Sequence, residues 1–266
     1  MLGVGSLVAA SIVLVTPAAE ASPANDSWRS ATEVTELPFE DTVNARRATR
    51  DRVNPPELRN YRGHTIWYHL KLSTDTDLLV STAGTNYWHK VSLYQADRAN
   101  QSPALWTQLR AANARAHERW GAGFLQPVKA DTDYYVVIGA RRKEPVGSAH
   151  LVLRLPAEFT VDLSQTGTYN EVDGSATLHG TVSSDRPTRV LVSVTLRQLV
   201  DGEVVAMGDQ KYLTPTTEPG QWDLTLAADK PFQPGEARVD SSIWVVWDVG
   251  IWIASGPFPV DTVTLE

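Results

Sequence analysis

The stretch from His64 to Ala96, HTIWYHLKLSTDTDLLVSTAGTNYWHKVSLYQA, constrains the fold more than any other part of the chain. Apolar or aromatic residues occupy every even position from Ile66 to Leu72, and Trp, His and Lys occupy the odd positions between them. The alternation continues around Val80, breaks at Ala83–Asn86 and resumes at Val91. A period of two marks strands with one face on a core, so we predict three successive β-strands here.

The rest of the chain favours the same class. Its 266 residues include 16 prolines and 17 glycines, with many Val, Thr and Ser residues, a composition typical of all-β proteins. The length suggests two domains of roughly 100–150 residues each. We place their boundary near Leu155–Ala157, which predicts two β-sandwiches in tandem, at residues 22–155 and 156–266.

Residues 97–123 allow two interpretations. One is a helix, since Ala and Arg favour helix and six residues could form one of its stripes: Leu105, Trp106, Leu109, Ala112, Ala116 and Trp120. Leu105–Leu109 could equally be a short strand that leads into a long loop. We prefer the strand and loop.

The first half resembles a known family in several segments. They are NDSWRSATEVTELPFEDTVNARRAT, TIWYHLKLSTDTDLLVSTAGT, KVSLYQA and DTDYYVVIGA, with Trp67–Tyr68, Ala83–Gly84 and Tyr134–Tyr135 as the most specific features. Over about residues 25–155 the chain is similar to the bacterial pre-peptidase C-terminal (PPC) domain. The resemblance implies a jelly-roll β-sandwich of a secreted or surface protein, in some members a substrate-binding module and in a few a calcium-binding one. Because Asn113 is followed by Ala114, Arg115 and Ala116, the calcium loop of the family is not carried over.

The second half contains seven or so short alternating segments over about 110 residues, which predicts an immunoglobulin-like sandwich. Asp201–Gly202 is a two-residue turn suited to a hairpin. This half is similar to Ig-like modules of exported actinobacterial proteins, although the cysteine pair that such modules often carry is absent.

The N-terminus has the features of an export segment. Leu2–Val15 is uncharged and apolar, and Ala19 and Ala21 form a small-x-small cleavage site. The run is short for a membrane span. We therefore predict a signal peptide at residues 1–21, cleaved after Ala21, and a secreted extracellular protein with or without attachment to the cell surface. No basic residue precedes the run, so retention as an anchor is the alternative.

Charge and cysteine content exclude several classes. Residues 22–155 carry 18 Lys and Arg against 14 Asp and Glu, a net of +4, whereas residues 156–266 carry 6 against 16, a net of −10. The positive half is too weakly charged, and its arginines too scattered, to predict nucleic-acid binding. With no cysteine, the chain has no disulfide, thiol nucleophile or thiolate metal site.

No catalytic motif is present. The sequence lacks a G-x-S-x-G elbow, an H-E-x-x-H pair, a phosphate-binding glycine loop and a dinucleotide fingerprint. Five of the six histidines lie in the first half, but their spacings match no metal-ligand pattern. We predict no catalytic residues and no enzyme activity.

Two D-x-D pairs are candidate calcium ligands. Asp75 and Asp77 precede one predicted strand, and Asp131 and Asp133 precede another. Carboxylates from adjacent loops could bind a hard cation. Asp and Thr also form turns by bonding their own backbone, which is the commoner reason for such pairs.

Aromatic residues offer a second candidate site. Three of the nine tryptophans lie in the segment IWVVWDVGIWI, from Ile243 to Ile253. Counted from Ala237 and Val239, the alternation places Ile243, Val245 and Trp247 in the core. It therefore predicts that Trp244 and Val246 point outward and, with Trp252, contact a partner. Exposed aromatics can stack on sugars or anchor a protein interface, unless another part of the chain covers them.

These features together predict a secreted, non-catalytic protein that binds an extracellular protein or a cell-wall polysaccharide surface. Two other functions remain open from the sequence. One is an accessory or pro-region module of a secreted hydrolase (peptidase) system, and the other is a structural component of a cell-envelope assembly.

Overall fold

The computed structural model describes residues 21–49, 55–58, 60–61, 63–97, 101–115 and 121–266, apart from the side chain of Ser241. The predicted signal peptide lies almost wholly outside the described residues. Within the described residues, no helix has the length and apolar character needed to cross a membrane.

Nine strands precede residue 155 and eight follow it. Four 3-10 turns, at Trp28–Ser30, Ala45–Arg47, Pro56–Leu58 and Pro103–Leu105, are the helical elements of the described chain. The strands of the first half are β1 Thr32–Val34, β2 Phe39–Asn44, β3 Gly63–Leu70, β4 Thr76–Ser81, β5 His89–Ala96, β6 Thr107–Ala114, β7 Gly123–Val128, β8 Asp133–Ala140 and β9 Ser148–Arg154. Those of the second half are β10 Phe159–Tyr169, β11 Ala176–Ser184, β12 Arg189–Val200, β13 Glu203–Leu213, β14 Gly220–Leu226, β15 Gly235–Asp248, β16 Ile251–Gly256 and β17 Thr262–Leu265.

The first half is a two-sheet sandwich with jelly-roll connections. A five-stranded sheet has the order β1-β3-β8-β5-β6, and a four-stranded sheet has the order β2-β9-β4-β7. Strands β2 to β5 alternate between the two sheets, as do β7 to β9, which is the double Greek-key path of a jelly roll. The prediction of an all-β sandwich is confirmed.

The alternation in the stretch from His64 to Ala96 determines which side chains enter the core between the two sheets. Ile66, Tyr68 and Leu70 of β3 are fully buried there, together with Leu78 and Val80 of β4. At about 25–30 cal/mol per Å² of apolar surface removed from water, each such side chain contributes about 1.5–3 kcal/mol of burial free energy. The three predicted strands correspond to β3, β4 and β5.

A second apolar cluster covers the outer face of the five-stranded sheet. Trp67 of β3 belongs to it and is fully buried. Trp106 is stacked on Tyr135, with 4.0 Å between the ring centres. It also makes edge-to-face contacts with Trp67 at 6.1 Å and with Trp28 at 5.7 Å. The 3-10 turns of the first half therefore bury aromatic residues that the sheet would otherwise expose.

The second half forms one hydrogen-bonded path, β13-β12-β15-β17-β10-β11-β14, with β16 paired to β15. Strand β10 connects two groups of strands, because it pairs antiparallel with β11 and parallel with β17. Leu178 and Leu224 from one group lie in the same core cluster as Val192 and Val246 from the other. The two groups thus enclose one core, in a strand order that matches the predicted Ig-like sandwich.

Residues 107–114 form an extended strand, so the helical interpretation of this segment is wrong. The preferred interpretation is correct in having a strand but wrong in its bounds, because Leu105 lies in a 3-10 turn and the strand continues to Ala114, where a loop was predicted. Strand β6 pairs with β5 from Gln95↔Thr107 to His89↔Ala114. Ala116 and Trp120 lie outside the described residues. Among the described strands, those before residue 155 and those after residue 158 lie in separate sheets, but the division into two domains at this point stays a prediction.

Candidate ligand-binding surface

Trp244 and Val246 do not point outward, so the predicted aromatic surface is wrong at these two positions. Val246 is fully buried, and Trp244 packs on the same core, with its ring 5.5 Å from that of Phe159. The cause is a β-bulge. Ser241 pairs with Thr195 and Val239 pairs with Leu196, which leaves Asp240 as an extra residue in β15. An extra residue reverses the side-chain alternation beyond it.

The bulge places a different set of residues on the surface. Ile243, predicted to be buried, is 45% exposed, and Trp247 is half-buried. Trp247 pairs directly with Arg189 on β12 and with Trp252 on β16. Directly paired residues of antiparallel strands share a face, so Arg189, Trp247 and Trp252 form a row across three neighbouring strands. The exposure of Trp252, 61%, agrees with its predicted place on the surface.

A two-residue turn connects β15 to β16 and thereby brings Trp252 opposite Trp247. Val249 and Gly250 have φ values of 43° and 79°, as in the type I′ turns that suit the twist of a hairpin. A β-branched residue with positive φ is uncommon and strained. Within the part of the chain that the structure describes, β16 pairs with β15 alone, so Trp252 lies on an edge strand.

A groove of about 610 Å³ lies between this hairpin and the first half of the chain, and we call it the hairpin groove. Trp252 forms part of one wall, and Arg110 and Asn113 of β6 form part of the other. Both β6 and β7 are edge strands, one in each sheet of the first sandwich. The groove therefore runs where both sheets of the first half end.

A buried hydrogen-bond network fixes the backbone of Ala122, one of the residues that line the hairpin groove. Thr82 Oγ1 donates to the carbonyl of Ala122 at 2.7 Å and accepts from its N–H at 2.9 Å. His89 Nε2 lies 2.7 Å from the same hydroxyl. At Gly121, which has φ of 63°, a Cβ would lie 2.5 Å from the Thr82 backbone. Only glycine fits this close approach.

A second groove of about 630 Å³ borders the same hairpin, and we call it the tyrosine groove. It is lined by Tyr212, Trp247, Arg189 and Thr188, among others. The Arg189 guanidinium carbon lies 4.1 Å from the centre of the Tyr212 ring. The two grooves share Gly250 as a lining residue, so they meet at the hairpin turn.

A buried ion pair fixes the hairpin to the first half. Arg154, the last residue of β9, donates to the carboxylate of Asp248, the last residue of β15. Asp248 is fully buried, and burial raises its pKa, while the nearby Arg154 and Arg186 oppose that rise. Ile251 completes the contact, because its side chain lies against the backbone of Gly123 on β7.

The predicted calcium ligands do not come together as a set. Among the described residues, no group of three or more His, Asp and Glu side chains is arranged to hold a metal. Asp75 Oδ1 accepts from the N–H of Ala130 at 2.8 Å and its Oδ2 lies 2.7 Å from Lys129 Nζ. The Ala130 hydrogen bond, followed by the Lys129 contact, lowers the pKa of Asp75. Asp75 thus acts as a turn residue.

The other three aspartates have separate positions. Asp77 is exposed on β4 opposite Pro127, and Asp131 adopts φ of 53° in the turn before β8. Asp133 lies 2.9 Å from Nε2 of His69, whose Nδ1 lies 2.7 Å from Glu33. The His69 ring is also stacked on Tyr135 at 4.7 Å. These contacts tie β1, β3 and β8 together.

The sequence predicted Trp252 as a binding residue but indicated none of the other residues that line the two grooves beside it. Arg110, Asn113, Arg189 and Tyr212 come from strands distant in the sequence, and no local pattern connects them. The high aromatic content of Ile243–Ile253 was the one available indication.

These features define the molecule as an all-β protein with two aromatic-lined grooves around one hairpin. No family model matches the sequence, and no curated protein matches it either. Solved structures do match. One is a glycosyl hydrolase family 2 member from Bacteroides cellulosilyticus, at 11% identity and a TM-score of 0.26, covering 75% of this chain and 28% of that one.

Two further matches are β-glucuronidases. That of Parabacteroides merdae has 14% identity and a TM-score of 0.26, covering 84% of this chain and 30% of its own. That of Ruminococcus gnavus has 11% identity and a TM-score of 0.23, covering 88% of this chain and 47% of its own. The present chain thus spans less than half the length of each. At these TM-scores the matches bear on neither its activity nor its ligand.

Proposed function

We propose that this is a secreted, non-catalytic protein that binds a polysaccharide through the hairpin groove. The observation that carries the proposal is the position of Trp252, 61% exposed on an edge strand, in a groove shared with Arg110 and Asn113. An indole face packs on the apolar face of a sugar ring, and guanidinium and amide groups hydrogen-bond to its hydroxyls. An open groove beside a sheet edge suits a chain ligand.

The chemistry of the lining supports binding without hydrolysis. Glycoside hydrolysis ordinarily requires two carboxyl groups that flank the scissile bond. No Asp, Glu or His is among the described residues that line either groove. The resemblance of residues 25–155 to PPC domains, some of which bind substrate for secreted enzymes, fits the same role.

Affinity electrophoresis through gels that contain soluble plant, bacterial and fungal polysaccharides tests the proposal. We expect at least one polymer to retard the wild-type protein and Trp252→Ala to abolish the retardation. Trp88→Ala is the matched control, because Trp88 is half-buried under the Arg141 guanidinium, 3.5 Å from its ring centre, and lines neither groove. Retardation that survives Trp252→Ala, or that no polymer produces, would overturn the proposal.

A further inference from the structure

The tyrosine groove contains an arginine that is held against an aromatic ring. Its cation, Arg189, has no carboxylate within salt-bridge distance among the described residues. Arg197, eight residues further along the same strand and on the same face, is instead paired with Asp240 at 2.7 Å. Arg189 is thus a positive charge held in place by an aromatic ring, in a half of the chain with a net charge of −10.

The two grooves are connected through the row of paired residues. Arg189, Trp247 and Trp252 lie on three neighbouring strands, so their backbones span about 10 Å at the usual strand spacing. Because the grooves also share Gly250, a ligand that rests on Trp252 can continue past Trp247 to Arg189. The surface therefore presents two aromatic positions followed by a cation.

We infer that the ligand of this protein is an acidic polysaccharide, whose uronate carboxylate is bound by Arg189 while neighbouring sugar rings pack on Trp247 and Trp252. This inference rests on the proposed function and specifies its substrate class. Guanidinium–carboxylate hydrogen bonds are short and roughly twice as strong as neutral ones. Tyr212 keeps the guanidinium oriented, which lowers the entropic cost of binding.

An acidic sugar chain fits the surface better than an acidic peptide. Side chains of a peptide would need separate pockets, whereas Trp247 and Trp252 offer adjacent positions in one open row. Both polymers could supply a carboxylate, so a polypeptide polyanion belongs in the test as a competing ligand.

The experiment measures retardation by three uronate polymers, polygalacturonate, alginate and hyaluronan, each beside its carboxyl-reduced neutral form, and by poly-L-glutamate. We expect at least one uronate polymer to bind roughly 10-fold or more tightly than its reduced form. Arg189→Gln is expected to remove that preference. Arg197→Gln, which removes an equal charge from the same face of β12, is expected to retain it.

The outcomes separate the inference from the proposed function. Equal binding of a polymer and its reduced form, equal effects of Arg189→Gln and Arg197→Gln, or preferential binding of poly-L-glutamate would overturn the inference. In the first two cases, Trp252-dependent binding of the neutral polymer would leave the proposed function standing. If no polymer binds in a Trp252-dependent manner, both fail.

Discussion

The guanidinium of Arg154 donates a hydrogen bond to the fully buried carboxylate of Asp248. The two residues end β9 and β15, so this pair joins the last strand of the first sandwich to the hairpin that carries Trp252. Asp248 immediately precedes the hairpin turn, whose Gly250 lines the hairpin groove. The geometry of the proposed binding surface therefore depends on a contact between the two halves of the chain.

Loss of Arg154 is expected to destabilise the protein strongly. Removing one partner of a buried pair leaves an uncompensated buried charge, which costs about 3–5 kcal/mol. Urea denaturation of Arg154→Ala checks this value. Arg197→Ala is the control, because Arg197 is half exposed and its pair with Asp240 is expected to contribute at most about 1 kcal/mol. Equal, small losses in both variants would contradict the structural role of Arg154.

Because the pKa of Asp248 is raised in the folded state, the free energy of unfolding depends on pH, and the direction of the shift sets the sign of that dependence. Burial raises this pKa above its ordinary value of 3.8, so the unfolded carboxyl loses its proton at a lower pH than the folded one. The contribution of Asp248 to the free energy of unfolding is therefore greatest below pH 3.8 and declines as the pH rises through the raised pKa. Asp248→Asn removes this titration.

We accordingly expect the wild type to lose stability relative to Asp248→Asn as the pH rises from about 3 through the raised pKa. Denaturation of both proteins across this pH range measures the difference. A wild type that gains stability over Asp248→Asn with rising pH would show instead that Arg154 lowers the pKa of the carboxyl.

Gly123 is expected to tolerate no side chain. A Cβ there would lie 2.3 Å from the carbonyl oxygen of Val80 and 2.4 Å from Cδ1 of Ile251. The backbone of β4 cannot move without breaking its pairing with β7, so Gly123→Ala is expected to cost about 1–3 kcal/mol. Thermal denaturation tests this against Gly220→Ala, where the nearest atom is 3.9 Å away. Equal melting temperatures for the two variants would contradict the close contact between β7 and the hairpin.

The first sandwich could be predicted from local patterns because its strands are regular. The alternation from Ile66 to Leu72 determines which face of β3 enters the core, and the turn at Ala83–Asn86 follows from residue type. The covering of Trp67 could not be predicted in this way. It depends on Trp28 and Trp106, which reach the same outer face from 3-10 turns on either side in the sequence.

In the second half, one extra residue in β15 makes the prediction from alternation fail. The alternation is correct up to Val239 and is reversed beyond Asp240, because the bulge is a property of the pairing of β15 with β12 and has no signature within β15 itself. Trp244 and Val246 were for this reason assigned to the wrong face. Arg189 and Tyr212 could not be assigned to a site because only the folded sheet brings them next to Trp247.

The most direct test of the central claim follows the indole N–H groups of the nine tryptophans by NMR while an oligosaccharide of the retarding polymer is added. The account predicts that the signals of Trp252 and Trp247 shift with a common dissociation constant. The signal of Trp222, which is buried, lines neither groove and donates from Nε1 to the carbonyl oxygen of Thr181 at 3.2 Å, is expected to stay in place. Signals of Trp252 and Trp247 that remain fixed while a tryptophan outside the two grooves shifts would contradict the account.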